Sequence, residues 1–158
     1  MIFVTIGTQA PFDRFIQIVD DIAVNLNEEI IAQTYKSQYK AKNIKTIDFL
    51  APDEFNNLFK KARMIVAHAG MGTIISAMQQ QKPIIIFPRI AALGEHRNDH
   101  QMATAKKMKE LGYVHVAFDE KELKRLLLSD NIKCLHKLSD SASQSLINSI
   151  SDFIRQIK

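Results

Sequence analysis

"RMIVAHAGMGTIISAMQQQKPIIIFP", residues 63–88, decides the fold. The run 63–70 reads as a strand closing on a turn, 73–81 as a helix, and PIIIFP (83–88) as a second strand bracketed by prolines. PIIIFP has no polar alternation, the pattern of a strand buried on both faces of a sheet. A strand, a crossover helix and another strand make a right-handed unit with the two strands parallel.

The same alternation extends both ways. Upstream, IFVTI (2–6) is a strand ending at Gly7, and 12–26 is a helix with Phe12, Phe15, Ile16, Val19 and Ile22 at helical spacing. Strands at 29–34 and 44–50 flank a polar loop, and Pro52, Asp53 and Glu54 open a helix over 52–62. Downstream, a helix spans 98–112, with Asn98 as cap, Gln101 completing a capping box and Gly112 ending it. A last strand (113–118), a helix capped by Asp119 (119–128) and an amphipathic closing helix (138–158) follow; the last has apolar positions at 146, 147, 150, 153, 154 and 157. The whole predicts a single α/β domain over 1–158, a mostly parallel sheet with helices on both faces. In such sheets ligands sit at the carboxyl ends of the strands. Three polar, glycine-containing turns fall there: Gly7–Gln9, His68–Thr73 and Arg89–Gln101.

Bulk properties narrow the function classes. A length of 158 residues, 46% hydrophobic and 24% charged, suits one ordinary globular domain. No apolar stretch approaches the roughly 20 residues that span a bilayer, and Met1 leads directly into a buried strand rather than a signal peptide. Cys134 is the only cysteine, which excludes a disulfide framework or thiolate cage and fits a reducing cytoplasm. The net charge of +4 is modest. Basic runs at Lys36, Lys40, Lys42 and Lys45 and at Lys60, Lys61 and Arg63 are solvated faces, or face anionic lipid or an acidic partner. With no recognisable nucleic-acid motif, no nucleic-acid partner is expected.

Each turn carries its own chemistry. Gly7 lets backbone approach a ligand, with Thr8 and Gln9 adding a hydroxyl and an amide; a plain strand-to-helix turn uses glycine too. In HAGMGT (His68, Ala69, Gly70, Met71, Gly72, Thr73), two glycines clear space before a helix whose positive N-terminus attracts phosphate. The Walker lysine is missing and Ile75 replaces the third glycine of a dinucleotide fingerprint. His68 is either a packed ring or a donor to a phosphate or base. GEHRNDHQ (94–101) has His96 and His100 four apart, but His96 precedes the cap, so the pair does not share a helical face and no metal is assigned. The segment is then a solvated loop or a set of contacts to a sugar or diphosphate at a helix N-terminus.

Taken in order, IFVTIGTQ…FDR, HAGMGT, KPIIIFPR and GEHRNDHQ resemble the C-terminal-domain family of glycosyltransferase family 28 over about residues 1–125. The resemblance is to its small stand-alone branch, which includes the soluble subunit of the enzyme adding the second GlcNAc to dolichol-linked chitobiose, and bacterial exopolysaccharide and capsule subunits of the PssE type. It implies a Rossmann-like domain equivalent to the C-terminal half of a GT-B enzyme, binding a UDP-sugar without a metal or other cofactor. A separate membrane-anchored subunit would hold the lipid-linked acceptor and recruit this chain to the cytoplasmic face of the membrane. Gly7 and Thr8 then match the turn near the diphosphate, and Phe49 and Leu50 the backbone at the uracil edge. His68, Gly70, Gly72 and Thr73 match the nucleotide-contacting turn, and Asn98, Asp99, His100 and Gln101 the segment reaching sugar and phosphate. The family usually has a ribose-gripping Glu where this chain has Ser76, a weaker partner unless Glu95 compensates. Transfer would be inverting, the leaving diphosphate stabilised by helix N-termini and donors such as Thr73 and His100, with the base on the partner or at Glu95 or His96. A non-catalytic activator of a membrane glycosyltransferase is the rival reading; a sugar-nucleotide epimerase would need a second domain.

Overall fold

The computed structural model describes residues 1–138 and 142–156. Six strands form one sheet: β1 (Ile2–Thr5), β2 (Ile30–Gln33), β3 (Lys45–Ile47), β4 (Met64–His68), β5 (Ile84–Phe87) and β6 (His115–Val116). Six helices accompany them: α1 (Asp13–Ala23), α2 (Pro52–Lys61), α3 (Met71–Gln79), α4 (His100–Leu111), α5 (Glu120–Leu127) and α6 (Gln144–Gln156). The strand order is β3-β2-β1-β4-β5-β6, and every pair is parallel.

Both faces of the sheet are covered, and the strand pleat sorts the side chains between them. Ile2 and Val4 join Phe15, Ile16 and Val19 of α1 and Leu123 and Leu127 of α5 in one core. Phe3 points the other way, into a second core with Phe59 of α2, Ile74 and Met78 of α3 and Ala105 of α4. β5 explains PIIIFP: Ile85 and Phe87 enter the first core while Ile84 and Ile86 enter the second, so each position must be apolar. The Phe15 and Phe87 rings stack at 5.4 Å. Buried Asp20 holds the 36–44 loop by accepting from the Tyr39 hydroxyl at 2.9 Å and the Asn43 amide at 2.7 Å.

Several boundaries differ from the sequence reading. α3 begins at Met71 rather than Thr73, so Gly72 and Thr73 lie in its first turn. α4 begins at His100 with Asp99 at its cap, and the Asn98–Gln101 capping box does not form. Gln101 Oε1 instead accepts from the Arg89 amide at 3.2 Å, a tertiary partner that outcompetes the local one. A 3₁₀ turn at Ala91–Leu93 interrupts the preceding loop. The Asp119 cap does form, accepting from the Glu122 amide at 2.8 Å. α6 does not close over the body: none of its described side chains is buried, and Leu146, Ile147, Ile150, Phe153 and Ile154 form an exposed apolar face. Ile157 lies outside the described residues. Among the described residues no helix is long and apolar enough to cross a membrane.

Candidate functional site

The strand order reverses between β1 and β4, so their following segments leave in opposite directions and open a crevice at the carboxyl ends. Gly7 follows β1 with φ +73°, a conformation that strains any residue with a Cβ. His68 ends β4, and its ring lodges between the two glycine turns. A Cβ added at Gly7 would lie 3.0 Å from His68 Cε1, and one at Gly70 only 2.3 Å from Nε2. These glycines therefore do more than admit a ligand: they make room for the imidazole.

Burial, reinforced by the Arg89 charge, pushes the His68 pKa down to about 4. The ring is neutral at pH 7 and offers one N–H, not a cationic phosphate clamp. Its Nδ1 is fully buried with no hydrogen-bond partner. Beside it, α3 begins with no side-chain cap. The first amide tied into the helix is that of Ile74, which donates to Gly70 O at 3.2 Å. The Met71, Gly72 and Thr73 amides are left to face the crevice, with the positive end of the helix dipole behind them.

Arg89, 2% exposed, closes the floor. Nη2 donates to Ile6 O at 3.1 Å and Ala10 O at 2.7 Å, and Nη1 to Pro11 O at 2.5 Å and Glu95 O at 3.2 Å. The guanidinium also lies 4.5 Å from the Phe12 ring centroid. Its donors are thus committed mainly to backbone, and Arg89 holds the 6–11 turn against the 89–95 loop. Arg14 does the same from α1. Its Nε donates to Glu95 Oε1 at 2.5 Å and its Nη2 to Oε2 at 2.9 Å, while the Ile90 amide donates to Oε2 at 2.8 Å. The Glu95 carboxylate therefore takes three donors, two from Arg14 and one from Ile90, which tie it to the 89–95 loop where it lines the cleft. His96 Nδ1 lies 3.0 Å from Asn98 O and 3.1 Å from Asn98 Oδ1. The Asn98 amide also donates to this nitrogen, at 3.4 Å, so Asn98 holds the ring in place through both its backbone and its side chain.

These elements enclose a cleft of about 700 Å³. Of the residues nominated from sequence, Gly7, Thr8, Gln9, His68, Gly70, Met71, Gly72, Thr73, Arg89, Glu95, His96 and Gln101 line it. A second cavity of about 400 Å³ adjoins it, sharing Gly7, Thr8 and Thr73 and adding Phe49 and Leu50. Ala69 instead packs into the core, and Ser76, Asn98, Asp99 and His100 line neither cavity. Asp99 Oδ1 accepts from the Ala91 amide at 3.1 Å, a brace within the loop. Arg14, Gln33 and Asn56 were not nominated, yet the first anchors the cleft wall and the other two line the second cavity. A signal for Gln33 existed: it is a polar residue at the carboxyl end of a buried strand. Among the described residues no group of three His, Cys, Asp or Glu side chains is placed to hold a metal.

Comparison with known proteins gives concordant results. A curated relative, the UDP-N-acetylglucosamine transferase subunit ALG13 of Eremothecium gossypii, is 24% identical over 148 residues, covering 92% of this chain and 71% of its own. The solution structure of an ALG13 superposes with a TM-score of 0.57 at 17% identity, covering 94% of this chain and 93% of that one. The Acinetobacter baumannii MurG crystal structure gives a TM-score of 0.57 at 16% identity over 79% of this chain. This chain spans 39% of MurG and 33% of the glycosyltransferase of kitacinnamycin, which superposes equally well. The family model described as the glycosyltransferase family 28 C-terminal domain matches residues 1–157, and the chain belongs to that family.

Proposed function

We propose that this chain is the UDP-sugar-binding subunit of a two-subunit inverting glycosyltransferase. It transfers a hexose or N-acetylhexosamine to a lipid-linked acceptor in exopolysaccharide, capsule or glycan assembly. The observation that carries the reading is the convergence of the uncapped α3 N-terminus and the Gly7 turn on one cleft, with an apolar slot next to it. A diphosphate suits the amides of Met71, Gly72 and Thr73, where charge that develops on the leaving group is stabilised. A nucleoside suits the slot, and a sugar the polar wall that carries Gln101 and His96. Of the two candidate bases, both of which line the cleft, His96 is the less encumbered, because Arg14 makes a two-point ion pair with Glu95. The partner is a membrane-anchored, acceptor-binding subunit that brings this cytoplasmic chain to the membrane; the uncovered apolar face of α6 supports a chain completed by another protein.

The test has two stages. Calorimetry with UDP comes first: no binding at millimolar UDP favours the second reading, a non-catalytic activator, which Ser76 in place of an acid supports. Transfer from UDP-sugar to a lipid acceptor is then measured for the chain alone and with its membrane partner. Activity of the complex that survives His68→Ala and Gln101→Ala together would sink the site assignment.

A further inference from the structure

We infer that Gln33 determines the base preference of the site, by donating to a carbonyl on the nucleobase. The inference rests on the donor-binding reading above and adds a residue that reading does not use. Gln33 ends β2 and is 2% exposed. Its Oε1 accepts from Thr5 Oγ1 at 3.3 Å, and Thr5 Oγ1 in turn accepts from the Gly7 amide at 3.3 Å. Thr5 is itself 1% exposed, so its single hydroxyl proton must find an acceptor within the protein, and Gln33 Oε1 is the one in reach. This chain sets the carboxamide orientation: the oxygen faces Thr5 and the NH₂ faces away.

Among the described residues Gln33 Nε2 donates to nothing. Among the described residues the one buried side-chain polar atom without a partner is His68 Nδ1, so this NH₂ is not sealed in the core but reaches the cavity that Gln33 lines. Here the side chain lines the second cavity, whose walls are Phe49, Leu50, Pro52 and Phe55 and which opens into the anion cleft past Gly7 and Thr73. Phe49 is 58% exposed, an aromatic ring at the slot without a stacking partner among the described residues. An apolar, aromatic-walled slot with a lone donor on its floor, next to a phosphate cradle, suits a flat heterocycle that turns an acceptor inward. An NH₂ donor pairs with the carbonyl of a uracil-type base and opposes the exocyclic amine of cytosine. Gln33, meeting the 4-position of the ring, therefore selects a pyrimidine with a C4 carbonyl, since the C2 carbonyl is common to uracil and cytosine. It also joins that selection to the diphosphate turn, because the same Thr5 hydroxyl positions the Gly7 amide.

The experiment is calorimetry on the full chain with UDP, CDP and inorganic pyrophosphate, for the natural protein, Gln33→Leu and Gln33→Glu. Gln33→Leu is close in volume and leaves the Thr5 hydroxyl without its acceptor, whereas Gln33→Glu keeps an oxygen for Thr5 but buries a carboxyl; a thermal melt establishes that each is folded before titration. The natural protein is expected to favour UDP over CDP by about tenfold or more. Gln33→Leu brings that ratio near one and Gln33→Glu shifts it toward CDP, while pyrophosphate affinity changes less than UDP affinity in both, since Gln33 reaches the diphosphate turn only through Thr5. UDP binding with a UDP-to-CDP ratio unmoved by Gln33→Glu overturns the assignment while leaving the donor site intact. A natural protein that binds none of the three overturns the donor-site reading, and this assignment with it.

Discussion

Gly70→Ala tests the packing that builds the cleft, independently of any ligand. The new Cβ would sit 2.3 Å from His68 Nε2 and 2.8 Å from Cε1, about 1 Å inside ordinary contact. The ring has little room to retreat, since its other face lies against Gly7, where a Cβ would already be 3.0 Å away. Overpacking of this kind costs about 1–3 kcal/mol. Replacing glycine by alanine at the α3 N-cap adds about 0.5 kcal/mol, which persists whatever residue stands at 68. His68→Ala alone loses the ring's contacts but also removes the unpaired Nδ1, so its net cost is about 1 kcal/mol. In the double variant the clash is gone, and only the capping term is added to the loss of the ring. The coupling energy then equals the overpacking cost, about 1–3 kcal/mol, with the double variant more stable than the sum of the singles. Urea unfolding of all four proteins measures it, with m-values checked for constancy. Additivity within about 0.5 kcal/mol would refute the claim that these glycines exist to seat the imidazole.

Three further outcomes follow from the same geometry. His68 has a folded pKa of about 4 against about 6.5 unfolded, so between those values only the unfolded chain binds the proton; stability falls by about 1–2 kcal/mol from pH 7.5 to pH 5, and His68→Gln removes that part of the slope in urea melts. Arg89→Met leaves the carbonyls of Ile6, Ala10, Pro11 and Glu95 without their donor and costs about 3–4 kcal/mol, lowering Tm by roughly 10 °C in calorimetry; Arg89→Lys recovers less than half, since an ammonium lacks the forked reach. Arg14→Met strands the partly buried Glu95 carboxylate, costs about 2 kcal/mol, and speeds hydrogen exchange at the Ile90 amide, which Glu95 holds.

The sequence by itself determined what depends on near neighbours. The apolar periods set six strands and the helices between them, PIIIFP announced a strand buried on both faces, and Asp119 capped its helix as its position implies. The three polar turns were legible because strand ends are local features, and the family motifs lie in them. The tertiary structure alone decided the partners. Gln101 left its capping box for an amide 12 residues back, Glu95 went to Arg14 81 residues away, and Arg89 reached carbonyls 78 to 83 residues away. The free donor of Gln33 is visible only once Thr5, 28 residues distant, has claimed its oxygen. The apolar spacing of α6 likewise described an amphipathic helix without saying that its face stays uncovered. Local spacing encodes which face a side chain takes, because backbone geometry repeats along the chain. It does not encode which distant group meets that side chain, because that depends on the order in which the sheet assembles its strands.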